Sequence, residues 1–509
     1  MASISDHYAE ADQAARAVDT AKDITLYGGR KAPLPLNVII IGCGLGGLAT
    51  AYALGKAGHR VRIIESAPKI GEVGAGIQVT PNLSRILIRW GLGEQLKNIA
   101  VLPEAIALRR YCTGELVGWT RWGVTMEEMY NSPYYHIHRA DFHRLLLDLA
   151  STVSTLKLNS TVVKVNPSPP HPSVTLSTGE VLSADLIIGC DGVKSLVRDL
   201  VVGEPTKAVA TGDAAYRAII PTSEMMKDPA LRELVESPEM TGWMGPGRHI
   251  MGYCIRAKRE YNLVMAHPDD GSVESWTAEG SADKMRADFE GWEPRITKLL
   301  SMVPSTLKWK LMDRQPLTTW LHHEGRVVLL GDSCHPMLPY RAQGAAMAVE
   351  DAAVLGNLLS RLSHPAELTP LLRGYEVLRY HRTAETQKSS RLNQHIFHLP
   401  DGPAQQERDD SMRRAMETEL ARVSKQLHYR PWTTEEMTTA LWDSVAEKQR
   451  QTSDFTGEGN SNQWADMRKN REQFGYDADL VSEKWWVENG ERVCRQAVAN
   501  SVSNVSARM

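Results

Sequence analysis

The spacing Gly42-x-Gly44-x-x-Gly47 follows a short apolar run, Asn37-Val38-Ile39-Ile40-Ile41, and runs into an apolar stretch from Leu48 to Ala57. A β-branched run bounded by glycine predicts a buried parallel strand, and the longer stretch predicts a helix. Each glycine has its own task. Gly42 permits a tight turn, Gly44 admits a pyrophosphate to the backbone, and Gly47 lets helix and strand pack closely. The helix start offers free N–H groups and the positive end of a dipole to phosphate. A second strand, Arg60-Val61-Arg62-Ile63-Ile64, ends at Glu65, which is placed to accept hydrogen bonds from a ribose hydroxyl. An acid there disfavours a 2′-phosphate, so FAD or NAD is expected rather than NADP.

Two more strand-to-loop motifs stand downstream. One is Ala184-Asp185-Leu186-Ile187-Ile188-Gly189-Cys190-Asp191-Gly192, followed by Ser195 and Arg198. The other is Arg326-Val327-Val328-Leu329-Leu330-Gly331-Asp332-Ser333-Cys334-His335-Pro336, leading through Gln343-Gly344-Ala345 to Glu350 and Asp351. Singly they say little: Asp191-Gly192 reads as a turn, Asp332 as a helix cap, His335-Pro336 as a loop. Their order carries the information. With G-x-G-x-x-G, D-G-x-x-S-x-x-R and G-D-x-x-H-P in sequence between Leu36 and Leu399, the chain resembles the flavoprotein aromatic hydroxylases. These are the group A monooxygenases with the para-hydroxybenzoate hydroxylase fold, and the likeness is greatest to their salicylate hydroxylase-like fungal branch.

The resemblance implies a bound FAD, with NAD(P)H as a transient co-substrate. It implies hydroxylation of a phenol or hydroxybenzoate with dioxygen through a flavin C4a-hydroperoxide, with a decarboxylative variant open. Asp332 would accept from a ribityl hydroxyl, Arg139 would contact FAD, and the Gly74-Ala75-Gly76-Ile77 turn, Gly76 included, would pass close by. The helix opening at Gln343 to Ala346 would face the reduced flavin, its N–H groups offsetting negative charge. Where the family carries an asparagine, this chain has Ala345-Ala346-Met347, so backbone would hold the flavin there. Only one dinucleotide cradle is visible, which leaves the nicotinamide to bind across the surface near Asp191 to Arg198. Two other readings stand beside this one. They are a tailoring monooxygenase or epoxidase of a secondary-metabolite pathway, and a flavin-binding dehydrogenase or non-catalytic flavoprotein. Intact Gly44, Glu65, Asp191 and Asp332 argue against a degenerate cofactor site.

Residues for positioning a ring are expected in the middle of the chain. Arg217, in Ala214-Ala215-Tyr216-Arg217, stands where related fungal phenol hydroxylases place an arginine. His249 and Tyr253 are four apart, which puts them on one side of a strand. Arg217 is expected to stabilise a substrate anion, and His249 or Tyr253 to contact a phenolic oxygen. The competing reading makes His249 and Tyr253 half-buried sheet residues with structural hydrogen bonds. No metal is expected, because no carboxylate or thiolate cluster completes a shell around His136, His138 and His143. His322 and His323 precede a glycine turn and should be solvated.

These residues need an α/β scaffold of about two or three domains, as 509 residues suggest. The expected fold is a Rossmann-like FAD-binding domain, discontinuous over 36–208 and 322–399. A mixed β-sheet substrate domain at 209–321 would be inserted in it. A polar, Ala-rich extension at 1–35, able to form a helix, precedes them. A charged, Trp-containing helical cap follows at 400–509, with helical periodicity from Met412 to Leu427 and a loop at 458–463. The cap could shield the domain interface or mediate a homodimer. Hydrophobic content of 42%, 23% charged residues and net charge −3 describe a globular protein without a general pull towards nucleic acid. No membrane span or signal peptide is visible, and six scattered cysteines suit a reducing cytoplasm.

Overall fold

A computed structural model describes residues 24–71, 74–205, 208–271, 278–425 and 463–506. Most of the N-terminal extension, where a helix is expected, falls on residues 1–23, and most of the loop expected at 458–463 falls on 426–462, both outside the described residues.

Five parallel strands form one sheet, in the order Val327–Leu329, Leu186–Gly189, Asn37–Ile41, Arg60–Ile64, Ser154–Lys157. The apolar runs around the three motifs are its centre: Ile39 pairs with Ile187 and Arg62, and Ile188 with Val328. The helix Leu45–Lys56 packs on the sheet against the helices Arg139–Ser151 and Gly344–Leu359. All three motif loops therefore emerge at the C-terminal edge of neighbouring strands, where an open α/β sheet leaves a crevice for ligand. This is the Rossmann-like FAD-binding fold.

A second, eight-stranded sheet runs Ala278–Gly280, Thr306–Asp313, Val209–Pro221, Glu260–Pro268, Arg248–Ile255, Met240–Gly245, Ala105–Arg110, Leu116–Arg121. It is mixed, since Met240–Gly245 pairs parallel with Ala105–Arg110 and its other pairings are antiparallel. Alternation divides its faces. Tyr216, Ala218, Ile250 and Cys254 point to a core shared with Leu231, Leu234, Ile296 and Leu299 of covering helices. Arg217, His249, Met251 and Tyr253 point the other way, into the cleft.

One part of the expected organisation is corrected. The hairpin Ala105–Arg121 lies within 36–208, yet both its strands extend the second sheet. Pairing with Met240–Gly245, far along the chain, leaves no local sign in either strand. The region after 399 also divides. Pro403–Ser424 packs on Leu116–Arg121, while Ala478–Trp485 packs on Gly344–Leu359. Among the described residues no helix is long and apolar enough to cross a membrane.

Candidate active site

At Gly42 φ is +104°, and a Cβ would stand 2.4 Å from the Cys190 carbonyl oxygen, so the turn and its neighbour strand admit glycine alone. At Gly47 a Cβ would meet the Gly42 carbonyl oxygen at 2.1 Å. At Gly44 it would meet nothing within 4 Å. Two glycines thus serve the protein's own packing, and the third borders empty space where a phosphate can approach. Gly44 caps the helix Leu45–Lys56 without any side-chain hydrogen bond, leaving N–H groups for an anion.

Around this turn lies a cavity of about 340 Å³, lined by Gly42, Gly44, Glu65, Asp191 and Gly192 among others. Glu65 accepts from Cys43 N at 2.8 Å and from Ala67 N at 2.8 Å, which pins the carboxylate beside the cavity. Asp191 accepts from Ser195 Oγ at 2.5 Å and from the Leu196 and Val197 amides at 2.8 and 3.1 Å. Ser195 Oγ accepts from Arg198 N, and Arg198 donates to the Ser333 carbonyl at 3.3 Å. The second motif is therefore a helix cap tied to the third motif's loop.

A larger cavity, about 400 Å³, adjoins the first and shares Gly44, Cys190 and Gly192 with it. Its lining includes Gly76, Arg139, Asp332, Ala345, Arg217, His249 and Tyr253. Eleven of the twelve residues expected to act at the site line one or the other cavity, and the twelfth, Gly47, packs beneath the glycine turn. Asp332 follows Gly331, whose φ is +67°. Its side chain is open to the cleft though ringed by protein, and that crowding raises its carboxyl above the usual range, against the pull of His335 and Arg139. Gln343 opens the helix Gly344–Leu359 without capping it, because its side chain bonds Asn82, Gln473 and Thr80 instead. Gly344 and Ala345, in the first turn of that helix, line the cavity. Open space at Gly44, an uncapped helix start at each end and Glu65 and Asp332 along the walls fit an FAD.

On the ring side, Arg217 lies with its guanidinium carbon 4.3 Å from the centre of the Trp309 ring. It makes no hydrogen bond or ion pair among the described residues, and its Nε has no partner. Burial, with Arg139 nearby, lowers it to about 10, so it stays charged at neutral pH. Burial raises Tyr253 to about 12, keeping it a proton donor, and drives His249 well below the usual imidazole value, keeping it neutral. Tyr253 packs on His136 with ring centres 4.4 Å apart. Gly76 fits under Tyr253 and Asn262, and its amide donates to Asn262 Oδ1 at 2.7 Å.

Two other histidines bind the backbone. His143 Nε2 lies 2.8 Å from the Cys43 carbonyl oxygen, and His138 Nδ1 accepts from Ala140 N at 3.2 Å, capping a helix. His322 is not solvated as expected. The Gly325 turn folds it inward, where it is buried and accepts from Glu324 N at 3.2 Å, while His323 stays exposed. Among the described residues, Cys334, His335 and Asp351 have metal-like spacing. Asp351 is already bound by His335 at 2.6 Å and Arg379 at 2.7 Å, a buried ion cluster that anchors the third motif.

Sequence reasoning missed four residues at or behind the larger cavity: Tyr340, Phe397, His398 and Trp464. Tyr340, Phe397 and Trp464 line it, and His398 bonds His249. None sits in a recognisable motif. Only tertiary packing brings them in.

Fold and site define a flavin-binding enzyme with a ring pocket on a second sheet. The comparisons agree: residues 35–388 match the model of the FAD binding domain, and the chain belongs to that family, within the FAD-dependent aromatic monooxygenases. It is 36% identical over 380 residues to FAD-dependent monooxygenase OpS4 of Beauveria bassiana (strain ARSEF 2860), covering 74% of this chain and 89% of that one. It is 36% identical over 381 residues to 3-amino-4-hydroxybenzoate 2-monooxygenase of Streptomyces cremeus, covering 74% and 92%. A solved salicylate hydroxylase substrate complex shares the fold, with TM-score 0.64, 24% identity, and 76% and 95% of the two chains covered.

Proposed function

We propose that the substrate is a phenolic acid of the hydroxybenzoate class, hydroxylated at the expense of NAD(P)H and dioxygen. The observation that carries this reading is Arg217, a buried cation without a protein counter-ion among the described residues, on the wall of the cavity. A buried charge of this kind calls for an opposite charge from a ligand. When bound, FAD supplies the redox chemistry and the activation of dioxygen. The chain's residues do the rest. Arg217 holds the carboxylate, Tyr253 donates to the phenolic oxygen, and His249 accepts its proton. Met251, Leu311 and Leu338 keep water from the ring. The similarity to an enzyme named for 3-amino-4-hydroxybenzoate supports the substrate class.

The test is direct. The purified protein is loaded with FAD, and NADH and NADPH oxidation is followed with salicylate, 3-hydroxybenzoate, 4-hydroxybenzoate and 3-amino-4-hydroxybenzoate. Stimulated oxidation with a hydroxylated product is expected from at least one. Oxidation that none of the four stimulates, while a non-acidic aromatic does, would overturn the reading. Carbon dioxide release would mark a decarboxylative reaction. We also place the protein in the cytoplasm, since its six cysteines are all free thiols, as a reducing compartment keeps them.

A further inference from the structure

We propose that Gln473, in the C-terminal segment, is a positioning residue for the flavin: it holds the Gln343 side chain off the helix Gly344–Leu359 and so keeps that helix start free for reduced FAD. The inference rests on FAD lying against this helix end. Gln473 Nε2 donates to Gln343 Oε1 at 3.1 Å, and Asn82 Nδ2 donates to the same oxygen at 3.0 Å. Gln343 Nε2 donates to Thr80 Oγ1 at 3.2 Å. Two donors fill the acceptor sites of Oε1. Gln343 stands at the N-cap position and yet makes no cap hydrogen bond.

An N-cap side chain ordinarily accepts from the second or third helical amide, here Ala345 or Ala346. An amide capped in this way is lost to a ligand. Gln343, Gly344 and Ala345 all line the cavity, so Gln343 and the flavin would compete for the helix start. Gln473 decides that competition from beyond the matched family domain at 35–388. Its helix, Met467–Phe474, is fixed at its C-terminal end by two arginines. Arg382 donates to the Glu472 and Gln473 carbonyls at 2.9 and 2.8 Å, and Arg85 to the Phe474 and Tyr476 carbonyls at 3.2 and 2.7 Å. Glu350 joins the ties, accepting from Arg382 Nε and from Asn82 Nδ2, each at 2.7 Å. Burial of Phe474 and Tyr476 alone would explain why the segment packs here. It would not require two arginines on four carbonyls, nor an amide delivered to the one oxygen placed to compete with the cofactor.

The consequence falls on one redox state. A hydride from NAD(P)H carries two electrons and one proton to the flavin ring, leaving NAD(P)+ and one added negative charge on the ring. Free N–H groups at the positive end of a helix interact more strongly with that charge than with the neutral oxidised ring. Gln473 does not itself line the cavity, so it acts through Gln343. Its effect therefore lies in the difference between reduced and oxidised FAD, and little in the binding of oxidised FAD.

The experiment reduces FAD-loaded wild type and Gln473→Leu with dithionite, without oxygen, against a reference dye that reports the midpoint potential. FAD affinity and thermal melts are read on the same samples. In Gln473→Leu the preference for reduced over oxidised FAD should fall about 10-fold, which is a potential lower by about 30 mV for a two-electron couple. Oxidised FAD should bind as in wild type. Should Gln473→Leu not fold, Gln473→Met keeps the length of the side chain without its N–H, and the same fall is expected. A second arm uses Gln343→Met, which has no cap to offer. Its potential should match wild type, and adding Gln473→Leu should leave it there. The same fall in the Gln343→Met background would make Gln473 merely structural and overturn the proposal. A wild-type potential in the Gln473 variants overturns it as well, with the flavin assignment left standing; wild type that takes up no FAD would overturn both.

Discussion

A guanidinium buried against an indole ring without a counter-ion is costly unless a ligand completes it. Arg217 is in that position, and removal of its charge should be felt by the substrate and not by the cofactor. Arg217→Ala is expected to lower kcat/KM for a hydroxybenzoate about 10²-fold, the size of one charge-assisted hydrogen bond of roughly 2–3 kcal/mol. Flavin content should be unchanged; steady-state kinetics and the visible spectrum check both. Because burial lowers Arg217 to about 10, substrate affinity should fall as pH rises through that value. A pH profile of KM that stays flat to pH 11 would remove Arg217 from anion binding. That His249 and Tyr253 share one face was legible in the sequence, since even spacing puts strand residues on one face, while Arg217 was pointed to by the family resemblance. His398 was not, because nothing local marks a helix end that meets another strand's histidine.

At the scale of elements, the glycine turn separates packing from binding. Gly44→Ala adds a methyl group into open space, so the chain should fold with a melting temperature near wild type but hold FAD weakly. Gly47→Ala forces a carbon to within 2.1 Å of the Gly42 carbonyl oxygen, so it should destabilise the fold by several degrees as well as lose flavin. Flavin absorbance and thermal melts distinguish the two, and equal melting temperatures would contradict this division. The other two motifs are legible for a different reason. Asp191 and Ser195 cap a helix, and His335 anchors a buried acid, so their spacing reflects hydrogen bonds that close within a few residues or onto one facing helix. Those geometries tolerate little change in residue type.

The whole molecule brings the C-terminal segment to the cavity. Arg341 lies 4.7 Å from the Trp464 ring and donates to the Gln463 carbonyl at 3.4 Å. Asn470 Nδ2 donates to the Trp464 carbonyl at 2.6 Å, and Arg382 reaches the Glu472 and Gln473 carbonyls. Trp464→Ala should therefore widen the pocket, raising turnover of bulkier phenolic acids relative to salicylate while weakening coupling to hydroxylation; product-to-NAD(P)H ratios across a size series measure it. Acid should also act on the whole. His59 accepts from Leu36 N and reaches the Leu359 carbonyl, and burial depresses it to about 4. The unfolded chain then binds more protons below its ordinary value of 6.5. Stability is complete above that pH and lost as pH falls towards 4, by about 3 kcal/mol for this one group. Thermal melts from pH 7 to 4 should show the fall, and His59→Asn should flatten it.

The sequence by itself determined the parallel sheet, the flavin cradle and the ordered acids along it. Each of these depends on strand runs, turns and caps whose physics is local. It also determined that His249 and Tyr253 share one face of the strand Arg248–Ile255, because side chains alternate along a strand. Only the tertiary structure decided that Ala105–Arg121 extends the second sheet, that His322 is buried, and that Phe397, His398 and Trp464 complete the ring pocket. Those contacts join residues up to hundreds of positions apart. They are set by the packing of whole elements, which leaves no periodic mark in the chain.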